Sequence, residues 1–326
     1  MTPSPRKPSV DPSGLQRPTL ALDPQTPSQL PSGSLAGVEK ARLTALVDLL
    51  EDDAPATWEA VRAELLSAGR RARPALDRAA RGQAPRRRAR ARSILAQMER
   101  REVLRRLLSQ AGRGIDDLES ALYRLAAVDD PHFDARATRR RLDDLGQRVR
   151  ERSAEREPGL DQAHALVTVL AGEEGLRGPG ENYHATDHVH LHRALELGRG
   201  LPLTLVAIYI FTARRAGLDA TGVPLPGHVM CRLHAGERSM LVDPFHAGVV
   251  RTRKECLSYL MRRGLAPRPD WFRDADDAAL FQRHVLNLAN GHTVRGDDGT
   301  ARQLRRVAET VARSRSQHPH ADPESA

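Results

Sequence analysis

Residues 203–213 read LTLVAIYIFTA and leave no face polar enough to meet water. A helix of that composition has to lie at the centre of whatever the chain folds into. Pro202 suits its first turn, where a missing N–H costs nothing. Arg214 and Arg215 complement the dipole at its far end, and Gly217 supplies the stop. Shorter, strand-like segments come directly after it. Leu218 to Val223 reads as a strand, Pro224 to Gly227 as a turn and HVMCRL from His228 as a second strand. HAGE, His234 to Glu237, reads as a hairpin turn, and SMLVD returns to Asp243. A buried helix laid against an antiparallel hairpin predicts an α+β core.

The hairpin brings two chemically useful side chains together. If it turns at Ala235 and Gly236, His228 and Asp243 face each other across the pair. Facing Cβ atoms lie about 5 Å apart, near enough for a carboxylate to orient an imidazole. Cys231 has the opposite parity to His228 and points to the other face of the pleat. Cys256, in RKECLSYL, is expected to pack in the core from a later helix. Thr204 is the one hydroxyl near the start of the central helix, although a helical threonine usually bonds to backbone.

A second cluster precedes the helix in YHATDHVHLHRALE. His184, His188 and His192 recur every fourth residue and share a face if the segment is helical, with Asp187 and Glu196 close by. Imidazoles at that spacing suit zinc or nickel; the alternative is capping and packing. Tyr183 and Arg199 flank the same region, either lining a groove or packing the linker on the helix.

Around this core the chain divides by composition. Residues 1–37 are rich in Pro and Ser, lack apolar periodicity and read as a disordered tail. Residues 38–155 show helical patterning, first with Leu43, Leu46, Val47 and Leu50, then with Trp58, Val61, Leu65 and Leu66 up to Gly69. Further amphipathic segments fall near 73–80, 85–110, 115–127 and 134–152, suggesting a repeat-like helical layer. Residues 156–272 hold the core, 273–313 a short helical hairpin and 314–326 a second tail. The net charge of +9 comes almost entirely from arginine, with lysine only at positions 7, 40 and 254. The most basic run, Pro85 to Arg106, lacks aromatics for stacking on bases, so a solvated helix face is expected and nucleic acid is not. Two cysteines are too few for a disulfide framework. No apolar run reaches the ~20 residues of a membrane span, and the N-terminus has no apolar signal region, which points to the cytoplasm.

The motifs GRGLPLTLVAIY, VPLPGHVMCRL and LVDPF resemble the SirB-type branch of the transglutaminase-like superfamily. The segment from Asp116 to Leu145 is similar to that family's helical lead-in, and LFQRHVLNLANGHTVRGDDGTARQL resembles a tetratricopeptide-type hairpin. The resemblance implies an N-terminal helical layer, a central papain- or transglutaminase-like α+β unit and a C-terminal helical hairpin. It aligns Pro202 with the catalytic cysteine of the enzymes, a proline usual in this branch, and puts asparagines where His188 and His192 stand. It also implies a cleft near Tyr183, Arg199, Gly200, Pro226, Gly227 and Phe245. The function implied is that of a non-catalytic or regulatory interaction protein with a protein partner and no cofactor or resident metal. The alternative is a hydrolase or acyl-transfer enzyme that uses His228 and Asp243.

Overall fold

The computed structural model describes residues 32–154, 156, 159–181 and 185–317. The expected Pro/Ser-rich tail lies outside these residues up to position 31. The described residues form two compact units that divide between Ala91 and Arg92, inside one helix.

The first unit is helical. Helix α1 (Ser32–Asp48) starts six residues before the patterning at Val38 suggests and runs into a 3-10 turn, Leu49–Glu51. Helices α2 (Pro55–Ala68) and α3 (Arg73–Ala80) come next, then the start of α4 (Pro85–Arg113). Leu43, Val47, Leu50, Val61, Leu65, Leu66 and Leu76 are buried, the face that the periodicity marks. The arginines opening α4 bind within this unit. Arg87 pairs with Asp48 at 2.6 Å, and Arg86 pairs with Asp53. Arg90 lies 4.9 Å over the Trp58 ring and donates to the Leu50 carbonyl at 3.1 Å. The basic run therefore includes charges that close a helical turn.

In the second unit the rest of α4 leads to α5 (Leu118–Ala126), α6 (Ala135–Ala154) and α7 (Leu160–Val167), which ends in a π-helical turn, Thr168–Glu173. A 3-10 turn (Thr186–His188) and α8 (Leu191–Leu197) precede α9 (Pro202–Ala216). Every residue of α9 from Pro202 to Ala213 is buried. Gly217 closes it at φ 78°, with the Leu218 N–H donating to the Ala213 carbonyl at 2.9 Å. The arginines at that end bind neighbouring helices: Arg215 takes both oxygens of Glu119 at 2.8 Å and Asp143 at 2.6 Å, and Arg214 takes Asp277 at 3.0 Å. Gly146 lets α6 lie against this corner, since a Cβ there would sit 2.4 Å from Arg215 Cβ.

Four antiparallel strands complete the sheet in the order β1 (Asp219–Leu225), β2 (His228–Ala235), β3 (Arg238–Asp243) and β4 (Val249–Arg251). Pro226 and Gly227 form the β1–β2 turn, with Gly227 at φ 74° as a type II turn needs at its second central position. Gly236, at φ 61°, opens the β2–β3 turn, the place where a II′ turn takes glycine. That turn is centred one residue later than the sequence pattern suggests. Cys231 pairs with Val242, so continuing the register sets Asp243 opposite Met230 and leaves His228 diagonal to it. The pleat is unchanged. Val229, Cys231 and Leu233 join the large core with α9, whereas Met230, Leu241 and Leu225 pack with Cys256 and Leu260 of α10 (Arg253–Arg262). Helices α11 (Asp277–Val294) and α12 (Asp298–Gln317) pair as a hairpin, and α12 continues three residues past Ser314, where the second tail was expected to begin. Gly222 pairs with Ala275, and a Cβ on it would come within 2.8 Å of Leu280 on α11. None of the described helices is long and apolar enough to cross a membrane. The architecture is α+β.

Buried histidines hold the helices beside this core. Asp129 accepts from His190 at 3.0 Å and lies 3.1 Å from His292. Burial works against its charge, but these two rings outweigh burial and hold its carboxyl well below the usual range. His284 on α11 is fully buried, and neither ring nitrogen has a hydrogen-bond partner among the described residues. Burial, then the charges of His190 and Arg283, push its pKa from 6.5 down to about 3.

Two substitutions probe this packing. Gly146→Ala should lower stability by about 1–3 kcal/mol through overpacking against Arg215, read by urea denaturation. His284→Leu should stabilise the protein by about 1–3 kcal/mol at pH 8, because an unpartnered buried polar ring is removed. Between pH 6.5 and about 3 the unfolded chain binds a proton that folded His284 refuses, so wild-type stability falls on acidification. The advantage of the leucine variant should therefore widen at pH 5, and equal melting shifts at both pH values would contradict this account.

Candidate functional site

The turn after β3 builds the site from four consecutive residues. Asp243 ends the strand and caps the 3-10 turn Pro244–His246, accepting from the His246 N–H at 3.3 Å. Pro244 fixes the first position of that turn, and Ala247 at φ 54° and Gly248 at φ 73° turn the chain back into β4. The second Asp243 oxygen lies 2.7 Å from His246 Nδ1, and the first lies 3.0 Å from His228 Nε2. One carboxylate thus spans two imidazoles. Burial favours the neutral acid, yet His228 and then His246 stabilise the carboxylate more strongly and lower the Asp243 pKa. The His228 side chain is 18% exposed and that of His246 56% exposed, with Asp243 buried beneath them.

Phe245 buttresses the cluster. Its ring stands edge-on to His228 at 5.9 Å, and its carbonyl accepts from the Gly178 N–H at 2.8 Å. A Cβ at position 178 would come within 2.3 Å of that ring, so only glycine fits beneath it.

A cavity of about 520 Å³ opens beside the cluster, between the sheet and α10. His228, Asp243 and His246 form one wall, and Leu225, Met230, Leu260 and Cys256 form an apolar floor. Arg251, Lys254 and Arg262 line it as well, and none of the three makes an ion pair among the described residues. Glu255 is held back in the capping box of α10, bonded to the Thr252 N–H and hydroxyl. Cys256 is the one thiol in the cavity wall. Burial, with the Asp243 charge second, raises its pKa above the ordinary thiol range, the opposite of what a nucleophile needs. Cys231 is fully buried on the other face of the sheet.

The structure brings together His228 and Asp243 as the sequence suggests, and adds His246, which lies one residue beyond the LVDPF motif. The sequence carries a signal for it: a histidine three residues after a capping aspartate is aimed back at it. Pro202 takes the first position of α9. Thr204 is fully buried and gives its hydroxyl to the Val189 carbonyl at 3.1 Å, which leaves it without access to a substrate. The expected cleft is displaced. Arg199 turns back on the carbonyls of Gly175 and Gly198, Gly200 is buried with its N–H on Arg177, and Pro226 and Gly227 form a turn tip; none of the four lines the cavity. Tyr183 and His184 lie outside the described residues. His188 ends a 3-10 turn and His192 lies in α8, separated by the extended residue His190, so the helical spacing that would align them is broken. Among the described residues, one group of three or more His, Cys, Asp or Glu side chains converges within 4.8 Å: His228, Asp243 and His246.

Residues 136–285, from α6 into α11, match the family model described as Transglutaminase-like superfamily. The chain carries a transglutaminase-like domain. Relatives include a UPF0162 protein of Xylella fastidiosa strain Temecula1, 33% identical over 131 residues, which are 40% of this chain and 43% of the relative. Its counterpart in strain 9a5c is 34% identical over 130 residues, with the same coverage. A UPF0162 protein of Haemophilus influenzae is 23% identical over 163 residues, covering 49% of this chain and 61% of the relative. The chain thus spans less than half the length of the two Xylella relatives. No solved structure matches it. His228, Asp243 and His246 all fall inside the transglutaminase-like match.

Alkylation tests the state of the cavity thiol. Cys256 should react with iodoacetamide more slowly than free cysteine at pH 7, and His228→Ala should leave its rate unchanged. Peptide mass spectrometry reads both rates; fast labelling abolished by His228→Ala would mean that an activated thiol is present.

Proposed function

We propose that this chain is a non-catalytic regulatory interaction protein of the SirB-type branch, whose transglutaminase-like domain binds an acidic segment of a partner protein. The observation that carries the reading is a cavity equipped for binding but lacking an activated nucleophile. Proline starts the central helix, the Thr204 hydroxyl is bonded elsewhere and the Cys256 thiol is held protonated. Arg251, Lys254 and Arg262 give the cavity a cationic wall, and its floor is apolar. Val249, Val250, Tyr259 and Met261, on β4 and α10, are exposed beside it, and β4 is an edge strand to which an extended segment can add. In this reading α11 and α12 form the tetratricopeptide-type hairpin, the protein works in the cytoplasm and nucleic acid is not its partner.

A second reading rests on the reach of the His228 ring from the cavity. There the imidazole, oriented by Asp243, acts as general base for water in a hydrolase of altered mechanism.

Fluorescence anisotropy with a labelled acidic peptide carrying apolar residues, in chelator, separates the two. Binding should weaken with salt, and Lys254→Glu with Arg262→Glu should raise Kd by ~10-fold, about 1.4 kcal/mol. Glutamine, ester and amide substrates should show no turnover. Binding indifferent to charge reversal sinks the partner reading, and turnover lost in His228→Ala establishes the second.

A further inference from the structure

The geometry points to a divalent transition-metal site at His228 Nε2, Asp243 and His246 Nδ1, with an open coordination position facing the cavity. The three donors come from a stretch of nineteen residues and converge within 4.8 Å. Three separate features place them. His228 comes directly after the type II turn at Pro226 and Gly227, Asp243 ends β3, and the Asp243-capped turn fixes His246. The set is assembled before any ion arrives, because the carboxylate already spans both rings at 3.0 and 2.7 Å.

The donor chemistry selects the class of ion. Two neutral imidazoles and one carboxylate suit zinc and its first-row neighbours, whereas calcium and magnesium prefer all-oxygen shells. Three protein ligands leave a fourth position free, the pattern of zinc sites that take an exogenous ligand. Here that position faces the cavity, not protein. Binding exchanges the two ring–carboxylate hydrogen bonds for metal bonds, and each ring carries its remaining proton on the nitrogen turned away from the ion. The ligands leave the ion with one net positive charge, and Arg251 and Lys254 add cationic charge around the cavity. The exogenous ligand is therefore an anion, such as a carboxylate or inorganic phosphate. The exposure of His246 gives the ion an entry path from solvent.

This site does not depend on the partner reading, whose peptide measurement is made in chelator. The test uses the full chain, stripped with chelator and dialysed. Calorimetric titration with Zn²⁺ should give one site per chain. His246→Gln, at the most exposed ligand, should weaken it on the order of 100-fold while thermal melting shows the fold intact, and Asp243→Asn should do the same. His192→Gln should bind as the wild type does. Cobalt loaded in place of zinc should give a visible d–d spectrum that shifts on addition of phosphate. No zinc binding at micromolar concentrations, or binding unchanged in both ligand variants, overturns the site; a cobalt spectrum indifferent to phosphate overturns the open position.

Discussion

The burial of α9 is the constraint on which the second unit depends. Its residues from Pro202 to Ala213 have no solvent-facing side, so neighbours must cover it all round. The β1–β2 hairpin covers one side, α6 and α7 another, and α8, α11 and the Pro244–His246 turn complete the enclosure. Each fully buried Leu, Ile or Phe contributes about 1.5–3 kcal/mol, so a helix of this kind offsets part of the conformational entropy lost by the segments packed on it. The polar fastenings lie at its C-terminal end. Arg214 and Arg215 bind carboxylates from α5, α6 and α11, so the dipole-compatible residues of one helix also hold the starts of α5 and α11 and the middle of α6.

Because one face of the sheet is committed to α9, its chemistry is exported to the other. Alternation along β2 sends Val229, Cys231 and Leu233 into the large core and His228 and Met230 towards α10. The fully buried cysteine is separated from the imidazole by the thickness of the pleat. The thiol that does reach the cavity arrives on α10, in apolar surroundings and near a carboxylate, both of which favour its protonated form. A nucleophile needs the reverse environment. The cavity keeps an imidazole hydrogen-bonded to a carboxylate, with Arg251, Lys254 and Arg262 in its lining.

The sequence makes legible whatever depends on local rules. Apolar periodicity marks α9, proline and glycine mark its ends, and pleat parity separates His228 from Cys231. The His228–Asp243 pair survives an error in the turn. Shifting the hairpin centre by one residue moves the register by two, which preserves the face, so a diagonal pair replaces a facing one. Features set by turns and tertiary packing are less legible. The spacing of His188 and His192 implies a common face only while the helix continues, and the break at His190 removes that premise. Cys256 sits in an amphipathic helix whose partner is known only once α10 folds over the sheet. The resemblance implies a cleft near Arg199, Gly200, Pro226, Gly227 and Phe245, whereas the open space beside His228 lies under α10, where no periodicity predicts a gap.

Charge illustrates the same division between composition and placement. The net charge of +9 suggests a polyanion-binding face, but arginine is the least informative cation to count, since its fork is so readily absorbed by carboxylates and carbonyls. Arg86, Arg87 and Arg90 close the first unit, and Arg141, Arg148 and Arg152 knit α6 to Glu173 and Glu174 at the end of α7. What distinguishes Arg251, Lys254 and Arg262 is that they share a cavity and form no ion pair among the described residues. Asp243 is engaged by two imidazoles and Glu255 by its helix cap. Three cations beside an open apolar floor are a placement that local rules do not produce by themselves.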